Sequence, residues 1–389
     1  MFSLRSWRYT ALAGDEDDLE GIDKKAFLAS PLRSSSLRQR NQPKQLLLLL
    51  LRTIIVVSVI TFAAIIGCWV FLSHGTTTTN PPQQCSTPAV RKEWRSLSPS
   101  AQAKYISAVQ CLMYLPSVHK EGTTLYDDFV FGHSKTGSYS HYAASFLPWH
   151  RMYLHVYERA LRDHCGYSES LPYWDWTLDS HHLSASPIWD PVTGFGGDGN
   201  PGGAETLHGG RCVVDGPFAN STRAWRALSE GHNHDVEYGP HCLSRGFIIN
   251  NDDRTTLEML HGLVSPSRVA QTLDKPDYIA FFEDFESGPH NAIPQFIRGD
   301  FLTFSAPNDP VFYLHHANVD RLWWLWQQRD PAGRLYQVRG PAKDFRYHEG
   351  HEVSEGSIED VMPMGGLAED IKMKSVMDTR AGFLCYEYE

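Results

Sequence analysis

The strongest hydrophobic pattern in the chain is an uncharged apolar segment, Thr53–Leu72. Twenty helical residues, at about 1.5 Å each, span the roughly 30 Å hydrocarbon core of a membrane. The polar stretch before this segment is much longer than the n-region of a signal peptide, and no A-x-A cleavage site follows it. The pattern therefore predicts a retained signal anchor with one transmembrane helix, which we place at residues 46–72.

Basic residues predict the orientation of this anchor. Lysine and arginine are frequent up to Arg52, whereas neither occurs between Leu72 and Arg91. By the positive-inside rule, residues 1–45 form a cytoplasmic tail and the rest of the chain is luminal or extracellular, in the secretory pathway. The tail has few apolar residues, which predicts disorder. Residues 73–84 are rich in threonine and proline, which predicts a stalk.

Residues 85–389 show helical spacing of apolar residues in several segments separated by loops. Ser98 and Asp309 suit N-cap positions, and a proline follows each of them in the first turn. The predicted helices run from Ser98 to Leu115, Tyr126 to about His133, Phe146 to about Arg162, Asp277 to about Ile293, and Asp309 to just before Asp330. Residues 172–218 are rich in Gly, Pro, Ser and Asp, which predicts loops with short strands. The predicted fold class is mainly α.

Cysteine content and charge limit the classes of function. Cys68 lies in the apolar segment, and the other six cysteines are Cys85, Cys111, Cys165, Cys212, Cys242 and Cys385. In an oxidising compartment these six form up to three disulfides among fifteen pairings, and free buried thiols are an equally open alternative. Asn220 begins an N-x-S/T glycosylation sequon. The net charge of -10, without a basic stripe beyond the N-terminus, argues against nucleic-acid binding.

Histidines are concentrated in two parts of the chain. The first group is His133, His141 and His150, and the second is His290, His315 and His316. Imidazole suits copper, zinc or iron, and no carboxylate-rich loop indicates a hard metal such as calcium. The two groups therefore predict a transition-metal site.

Two long strings around these histidines resemble the copper signatures of the tyrosinase family. They are HYAASFLPWHRMYLHVYE from His141 and DPVFYLHHANVD from Asp309, and the likeness extends to LPYWDW from Leu171 and the final LCYEYE. The resemblance implies a four-helix-bundle core with two copper ions. It implies that His133, His141 and His150 bind the first ion, whereas His290 and His316 bind the second.

The resemblance also implies roles for residues beside these histidines. Adjacent helical residues point about 100° apart, so we expect only one of His315 and His316 to face an ion, and the signature selects His316. His155 is predicted not to be a ligand. Asp320 is expected either to orient the imidazole of its own helix or to pair with Arg321.

Two further positions match residues that hold a water in some family members. This water is thought to deprotonate the phenol. The residues are Asn291, which directly follows His290, and Glu286, so both are candidate catalytic residues. A structural surface charge is the alternative interpretation of Glu286.

One position departs from the family pattern. The second copper site normally begins His-x-x-x-His, but here the string is His290-Asn-Ala-Ile-Pro294. Proline has no side-chain donor atom and removes a helical hydrogen bond, which predicts that the helix ends or kinks here, near Ile293. Three arrangements remain open: another histidine completes the site (His261, His208, His232, His234 or His241), two histidines act with a weaker ligand, or the second site is empty.

The predicted function is copper-dependent oxidation of a phenol or catechol by O2. The predicted substrate is a phenolic small molecule or a tyrosine within a peptide. The alternatives are a catalytically silent or one-copper protein, which Pro294 favours, and an O2 carrier. Because Tyr386 and Tyr388 match the string that closes the family's catalytic domain, we expect no C-terminal capping domain.

Overall fold

The computed structural model describes residues 42–73, 85–227, 236–249, 254–344 and 353–389. The chain divides into two units, Met1–Thr78 and Thr79–Glu389. In the first unit, helix α1 spans Gln42–Ser73, and its portion Leu47–Ile66 is long and apolar enough to cross a membrane. The segment predicted to be the anchor is therefore helical. Residues 1–41 of the predicted tail and 74–84 of the stalk lie outside the described residues.

Helices form most of the regular structure of the second unit. In chain order they are α2 (Pro99–Leu112), α3 (Leu125–Lys135), α4 (Gly137–Ser140), α5 (Phe146–Cys165), α6 (Arg254–Leu263), α7 (Pro266–Leu273), α8 (Tyr278–Phe285), α9 (Asn291–Ile297), α10 (Val311–Gln328) and α11 (Pro331–Arg334). A single π-helical turn, Glu286–His290, joins α8 to α9. Helix α5 packs against α2 on one side and α10 on another. The fold is thus mainly helical with long loops.

The strands are short and pair two by two. They are β1 (Ala89–Arg91), β2 (Arg211–Cys212), β3 (Thr222–Ala227), β4 (Val236–Cys242), β5 (Ser244–Arg245), β6 (Val361–Met362), β7 (Ile371–Lys372) and β8 (Tyr386–Tyr388). Strands β1 and β8 are parallel, with Ala89 opposite Tyr386, whereas β2–β5, β3–β4 and β6–β7 are antiparallel. The β1–β8 pair places the first and last elements of this unit side by side.

Capping chemistry explains why several helices begin where the sequence predicts. Ser98 is the N-cap of α2, and its hydroxyl accepts the N–H of Ala101 at 3.2 Å. The N-cap of α10 is Pro310, one residue after the predicted Asp309, whose carboxylate accepts the N–H of Val311 at 3.0 Å. The helix predicted to end near Ile293 differs from the structure. It is interrupted by the π turn and then continues through Pro294 to Ile297. Helices α6 and α7 and the β3–β4 hairpin were not predicted.

The six cysteines outside α1 form three disulfides. They are Cys85–Cys385, Cys111–Cys165 and Cys212–Cys242. The first joins the segment before β1 to the residue before β8, and the second joins α2 to the end of α5. Free thiols, the alternative left open by the sequence, are therefore excluded for these six residues. Disulfides of this kind persist in oxidising compartments.

Candidate metal centre

The first group of histidines converges from three elements. His133 lies near the end of α3, His141 directly follows α4, and His150 lies in the second turn of α5. All three are buried, and one nitrogen from each lies within 4.8 Å of the others. We call this set the first triad. The sequence-predicted ligands of the first ion are therefore brought together by the fold.

Hydrogen bonds to the Nδ1 atoms fix how these rings point. Nδ1 of His133 donates to the carbonyl of Phe304 at 2.7 Å, and Nδ1 of His150 donates to the carbonyl of Phe146 at 2.8 Å. Nδ1 of His141 lies 3.0 Å from the Ser140 hydroxyl. A proton held at Nδ1 leaves the lone pair of Nε2 for a metal. The Nε2 atoms of His133 and His150 are 3.4 Å apart, which places these lone pairs around one point.

The loop that carries Phe304 is held by two buried carboxylates. Asp300 accepts hydrogen bonds from the backbone and hydroxyl of Ser244, both at 2.9 Å. Asp309 pairs with the guanidinium of Arg245 at 2.6 Å, and both side chains are fully buried. This loop therefore gives the Phe304 carbonyl a fixed position as the acceptor for His133. The ring of Phe304 also lies against His141, with centroids 5.0 Å apart.

The second group consists of His290, His315 and His316. His290 is the last residue of the π turn, and the other two are adjacent on α10. All three are buried, and one nitrogen from each lies within 4.8 Å of the others. We call this set the second triad. The expectation that only one of His315 and His316 can face a common point is therefore wrong.

Side-chain reach explains why two adjacent residues converge. The 100° separation describes the directions in which side chains leave the helix, whereas ring nitrogens lie several bonds further out. The rings of His315 and His316 stand at 79° to each other, with centroids 5.0 Å apart, and both lie 5.1 Å from the ring of His290. The two rings thus turn toward a point that lies between the directions of the two Cα–Cβ bonds.

Unpartnered nitrogens show that the second triad suits a metal ion. Among the described residues, neither ring nitrogen of His315 has a hydrogen-bond partner, and Nδ1 of His316 also has none, although both residues are buried. Burying a polar atom without a partner is costly, and a metal bond supplies the missing partner for a ring nitrogen. Nδ1 of His290 donates to Oδ1 of Asn291 at 2.9 Å, which leaves its Nε2 available.

The two triads are in contact with each other. The rings of His150 and His316 are stacked, with centroids 4.2 Å apart and planes 10° from parallel. Phe312 packs on His316 at 4.2 Å, and Phe146 packs on His290 at 4.9 Å. The histidines therefore lie in a shared aromatic core.

Burial sets the protonation state of these imidazoles. It lowers the pKa of His150, His315 and His316 well below the usual value, and neighbouring imidazoles lower it further. Burial also lowers the pKa of His290 to about 4. The rings are consequently neutral at neutral pH, which is the form that binds a metal.

The other described histidines that are candidates for the second site lie elsewhere. His241 donates to Asp300 through Nε2 at 2.7 Å and is thereby occupied. His261 lies on α6, where nearby His181 and His182 interact with it, and His208 is in the loop before β2. Neither joins a histidine cluster in the described chain. His232 and His234 lie outside the described residues. His155 is in neither triad, as predicted.

Asp320 does not have either of the roles expected from the sequence. Its carboxylate accepts hydrogen bonds from Arg151 at 2.5 Å, Tyr386 at 2.5 Å and Tyr388 at 2.6 Å, and Arg91 lies at 3.4 Å. Arg321 pairs instead with Asp175 at 3.4 Å. Because the oxygens of Asp320 face two arginines and two tyrosines, this residue joins α10 to α5, β1 and β8.

The candidate catalytic residues Asn291 and Glu286 both contact Tyr142. Nδ2 of Asn291 donates to the Tyr142 hydroxyl at 2.8 Å. The backbone N–H of Tyr142 lies 2.9 and 3.0 Å from the two carboxylate oxygens of Glu286, which is 1% exposed. Tyr142 was not singled out from the sequence. Its position next to His141 was the available signal.

Comparisons with known proteins agree with this geometry. A family profile described as the common central domain of tyrosinase matches residues 123–329. The chain is 99% identical over 357 residues to tyrosinase-like protein phomQ1' of Diaporthe leptostromiformis, covering 92% of this chain and 94% of that protein.

A second relative is tyrosinase ustQ of Aspergillus flavus, which is 40% identical over 385 residues and matches 99% of this chain and 98% of its own length. Among solved structures, a polyphenol oxidase variant from Thermothelomyces thermophila superposes with a TM-score of 0.66 at 30% identity. That match covers 78% of this chain and 89% of the other.

Proposed function

This chain belongs to the tyrosinase family, and we propose that it is a copper-dependent oxidase that uses O2 to oxidise a phenol or catechol. The family implies a two-copper site. The observation that carries the proposal is the pair of buried histidine triads in contact with each other. A chain with only one complete triad would favour a one-copper or silent protein instead.

The donor set fits copper. Six buried imidazoles, without a carboxylate among them, are compatible with both Cu(I) and Cu(II). We propose that His133, His141 and His150 hold the first ion, whereas His290, His315 and His316 hold the second. His315 then supplies the ligand that Pro294 cannot. The helices that bear these residues, α3, α5, α9 with its preceding turn, and α10, would form the four-helix core.

When bound, the copper pair supplies electrons to O2 and makes it reactive toward a phenolic ring. The protein's own residues hold the imidazoles in place: the Phe304 and Phe146 carbonyls keep the Nδ1 protons of His133 and His150. Phe146 and Phe312 pack directly on His290 and His316 and keep bulk water from those rings. This packing favours reaction of O2 with a bound substrate.

Glu286 and Asn291 are the residues proposed to position the base that accepts the phenol proton. Both lie in or directly after the π turn that ends at His290, and Glu286 is buried. We propose that they position the acceptor for the proton that a phenol loses on binding. The substrate is proposed to be a phenolic small molecule or the tyrosyl side chain of a peptide.

The test is copper content together with O2-dependent oxidation. Full-length protein in detergent is stripped of metal, reloaded with copper and analysed for copper per chain. A catechol, L-tyrosine and a tyrosine-containing peptide then serve as substrates. We expect two coppers per chain, with oxidation that is lost after chelation and restored by copper.

His150→Ala is the matched variant for this experiment. It removes one ligand of the first triad, so we expect loss of one copper and of activity. Retention of two coppers in His150→Ala would contradict the ligand assignment. Two coppers and reversible O2 uptake without oxidation of any substrate would indicate an O2 carrier rather than an enzyme.

A further inference from the structure

Tyr142 connects the loop of the first triad to the residues of the second. It directly follows His141, and its backbone has a φ of 49°, in the left-handed region that side chains other than glycine rarely adopt. Its N–H is directed at the buried carboxylate of Glu286. Unfavourable backbone conformations persist only where the surroundings enforce them, and they concentrate at functional sites.

The Tyr142 hydroxyl is part of a short chain of hydrogen bonds that ends at a proposed ligand. Its oxygen accepts from Nδ2 of Asn291 at 2.8 Å, and Oδ1 of Asn291 accepts from Nδ1 of His290 at 2.9 Å. With Nε2 of His290 on a metal, Nδ1 carries the proton, and Oδ1 of Asn291 accepts it at 2.9 Å. The amide nitrogen is then left as a donor, and Tyr142 provides its acceptor.

We propose that Tyr142 is a positioning residue for the second metal site, acting through Asn291 on His290. This inference rests on the proposed copper function. Tyr142 directly follows His141 of the first triad in sequence, and its hydroxyl is connected through Asn291 to His290 of the second. It therefore links the geometry of the two sites. Asn291 needs this link because it is half-buried and its amide has two rotational states that exchange donor and acceptor.

Tyr142→Phe isolates the hydroxyl. The ring and the backbone N–H to Glu286 remain, so a purely structural role leaves copper binding unchanged. Partners that orient metal ligands typically contribute 10- to 100-fold to metal affinity. We expect the affinity of the second site to fall about 10-fold, the lower end of that range, because Tyr142 acts through an intermediate residue. The first site should keep its affinity.

The measurement is a copper titration of the metal-free full chain in detergent against a competing chelator, with EPR of the Cu(II)-loaded protein. Two adjacent bridged Cu(II) ions are EPR-silent, whereas a lone Cu(II) gives a signal. When both proteins are equilibrated with the same chelator at a free-copper level that fills both wild-type sites, Tyr142→Phe should show more of this signal than wild type. Tyr139→Phe is the control, since Tyr139 is also half-buried but lies under Lys343, with the lysine nitrogen 4.8 Å from its ring.

A double substitution tests the path through Asn291. In Asn291→Asp the carboxylate accepts from His290 without needing an acceptor for an amide nitrogen. Adding Tyr142→Phe to the Asn291→Asp variant should therefore lower the copper affinity of the second site less than twofold. The same substitution in the wild-type protein should lower it about 10-fold. This comparison remains informative if either single variant is less stable than wild type.

Three results would overturn the inference. They are a wild-type affinity in Tyr142→Phe, an equal loss at both sites, and an equal effect of Tyr142→Phe in both backgrounds. The first two leave the proposed function intact, because wild type still binds two coppers. Failure of wild type to bind copper at either site would instead overturn the proposed function.

Discussion

At the scale of single residues, the second nitrogen of each imidazole distinguishes the two triads. In the first triad, Nδ1 of His133 and of His150 is held by a backbone carbonyl, so the fold prepares these ligands before metal binds. In the second triad, the ring nitrogens of His315 and Nδ1 of His316 have no hydrogen-bond partner in the part of the chain that the structure describes. The buried ring nitrogens of the second triad therefore need a metal ion as a bonding partner more than those of the first triad do.

His315→Asn tests whether His315 completes the second site. Asparagine is polar but too short to replace the imidazole nitrogen, so we expect copper to fall from about two to about one per chain and oxidation to fall at least 100-fold. Metal analysis and catechol turnover measure these changes. His261→Asn is the control, because His261 is outside both triads, and it should keep two coppers. Two tightly bound coppers in His315→Asn would refute the role of His315.

The limits of sequence reasoning are clear at these positions. The motifs were sufficient to select His133, His141, His150, His290 and His316, which the fold brings into the two triads. They do not indicate His315, because the 100° separation of adjacent helical residues describes the directions in which side chains leave the helix and not the positions of their ring nitrogens. For Tyr142 the sequence shows only its position next to His141 and not its contacts, since its partners Glu286 and Asn291 are more than a hundred residues away in sequence.

At the scale of elements, the π turn Glu286–His290 explains how Pro294 is tolerated in a helix. Proline at this position cannot donate to the carbonyl of His290, the residue four before it. Because His290 ends the π turn, the helical hydrogen-bond pattern already changes at this point, and α9 continues to Ile297. The sequence predicted an interruption here but placed the end of the helix too early, because π turns have no reliable sequence signal.

Pro294→His restores the family's His-x-x-x-His spacing and tests whether the second site lacks a ligand. Since His315 already lies with His290 and His316, we expect the variant to keep about two coppers per chain with no gain in oxidation. Wild type and variant are reconstituted under the same copper conditions, and metal content and catechol turnover are compared. Pro289→His, one residue before His290, controls for adding an imidazole nearby. One copper in wild type that rises to two in Pro294→His would mean that His315 is not a ligand.

At the scale of the whole molecule, several interactions join the two ends of the Thr79–Glu389 unit. Strand β1 pairs with β8, Cys85 is linked to Cys385, and Asp320 on α10 accepts from tyrosines of β8 while lying near Arg91 of β1. The sequence shows the final Tyr-x-Tyr string and six cysteines after the apolar segment, which predict the end of the domain and up to three disulfides. It could not predict these pairings, because cysteine connectivity and the register of three-residue strands are set by tertiary contacts.

The cellular location of the protein is indicated by two features, its three disulfides and the apolar part of α1. Disulfides persist in oxidising compartments, and Leu47–Ile66 is long enough to cross a membrane. The basic residues before Thr53 then predict a cytoplasmic N-terminus and a luminal or extracellular oxidase domain. Asn220 offers an independent reporter, because it begins a glycosylation sequon and is exposed after a turn at Gly216–Ala219.

The orientation is tested by protease digestion of sealed secretory vesicles that contain the full chain with an N-terminal epitope. We expect the epitope to be removed and the domain from residue 85 to be protected until detergent is added, because the membrane shields the luminal side. Asn220→Gln should migrate faster in gels, by the mass of one glycan, whereas Asn200→Gln, which is not in a sequon, should not. A protected epitope with a digested domain would reverse the orientation. Loss of both without detergent would mean that α1 does not cross the membrane.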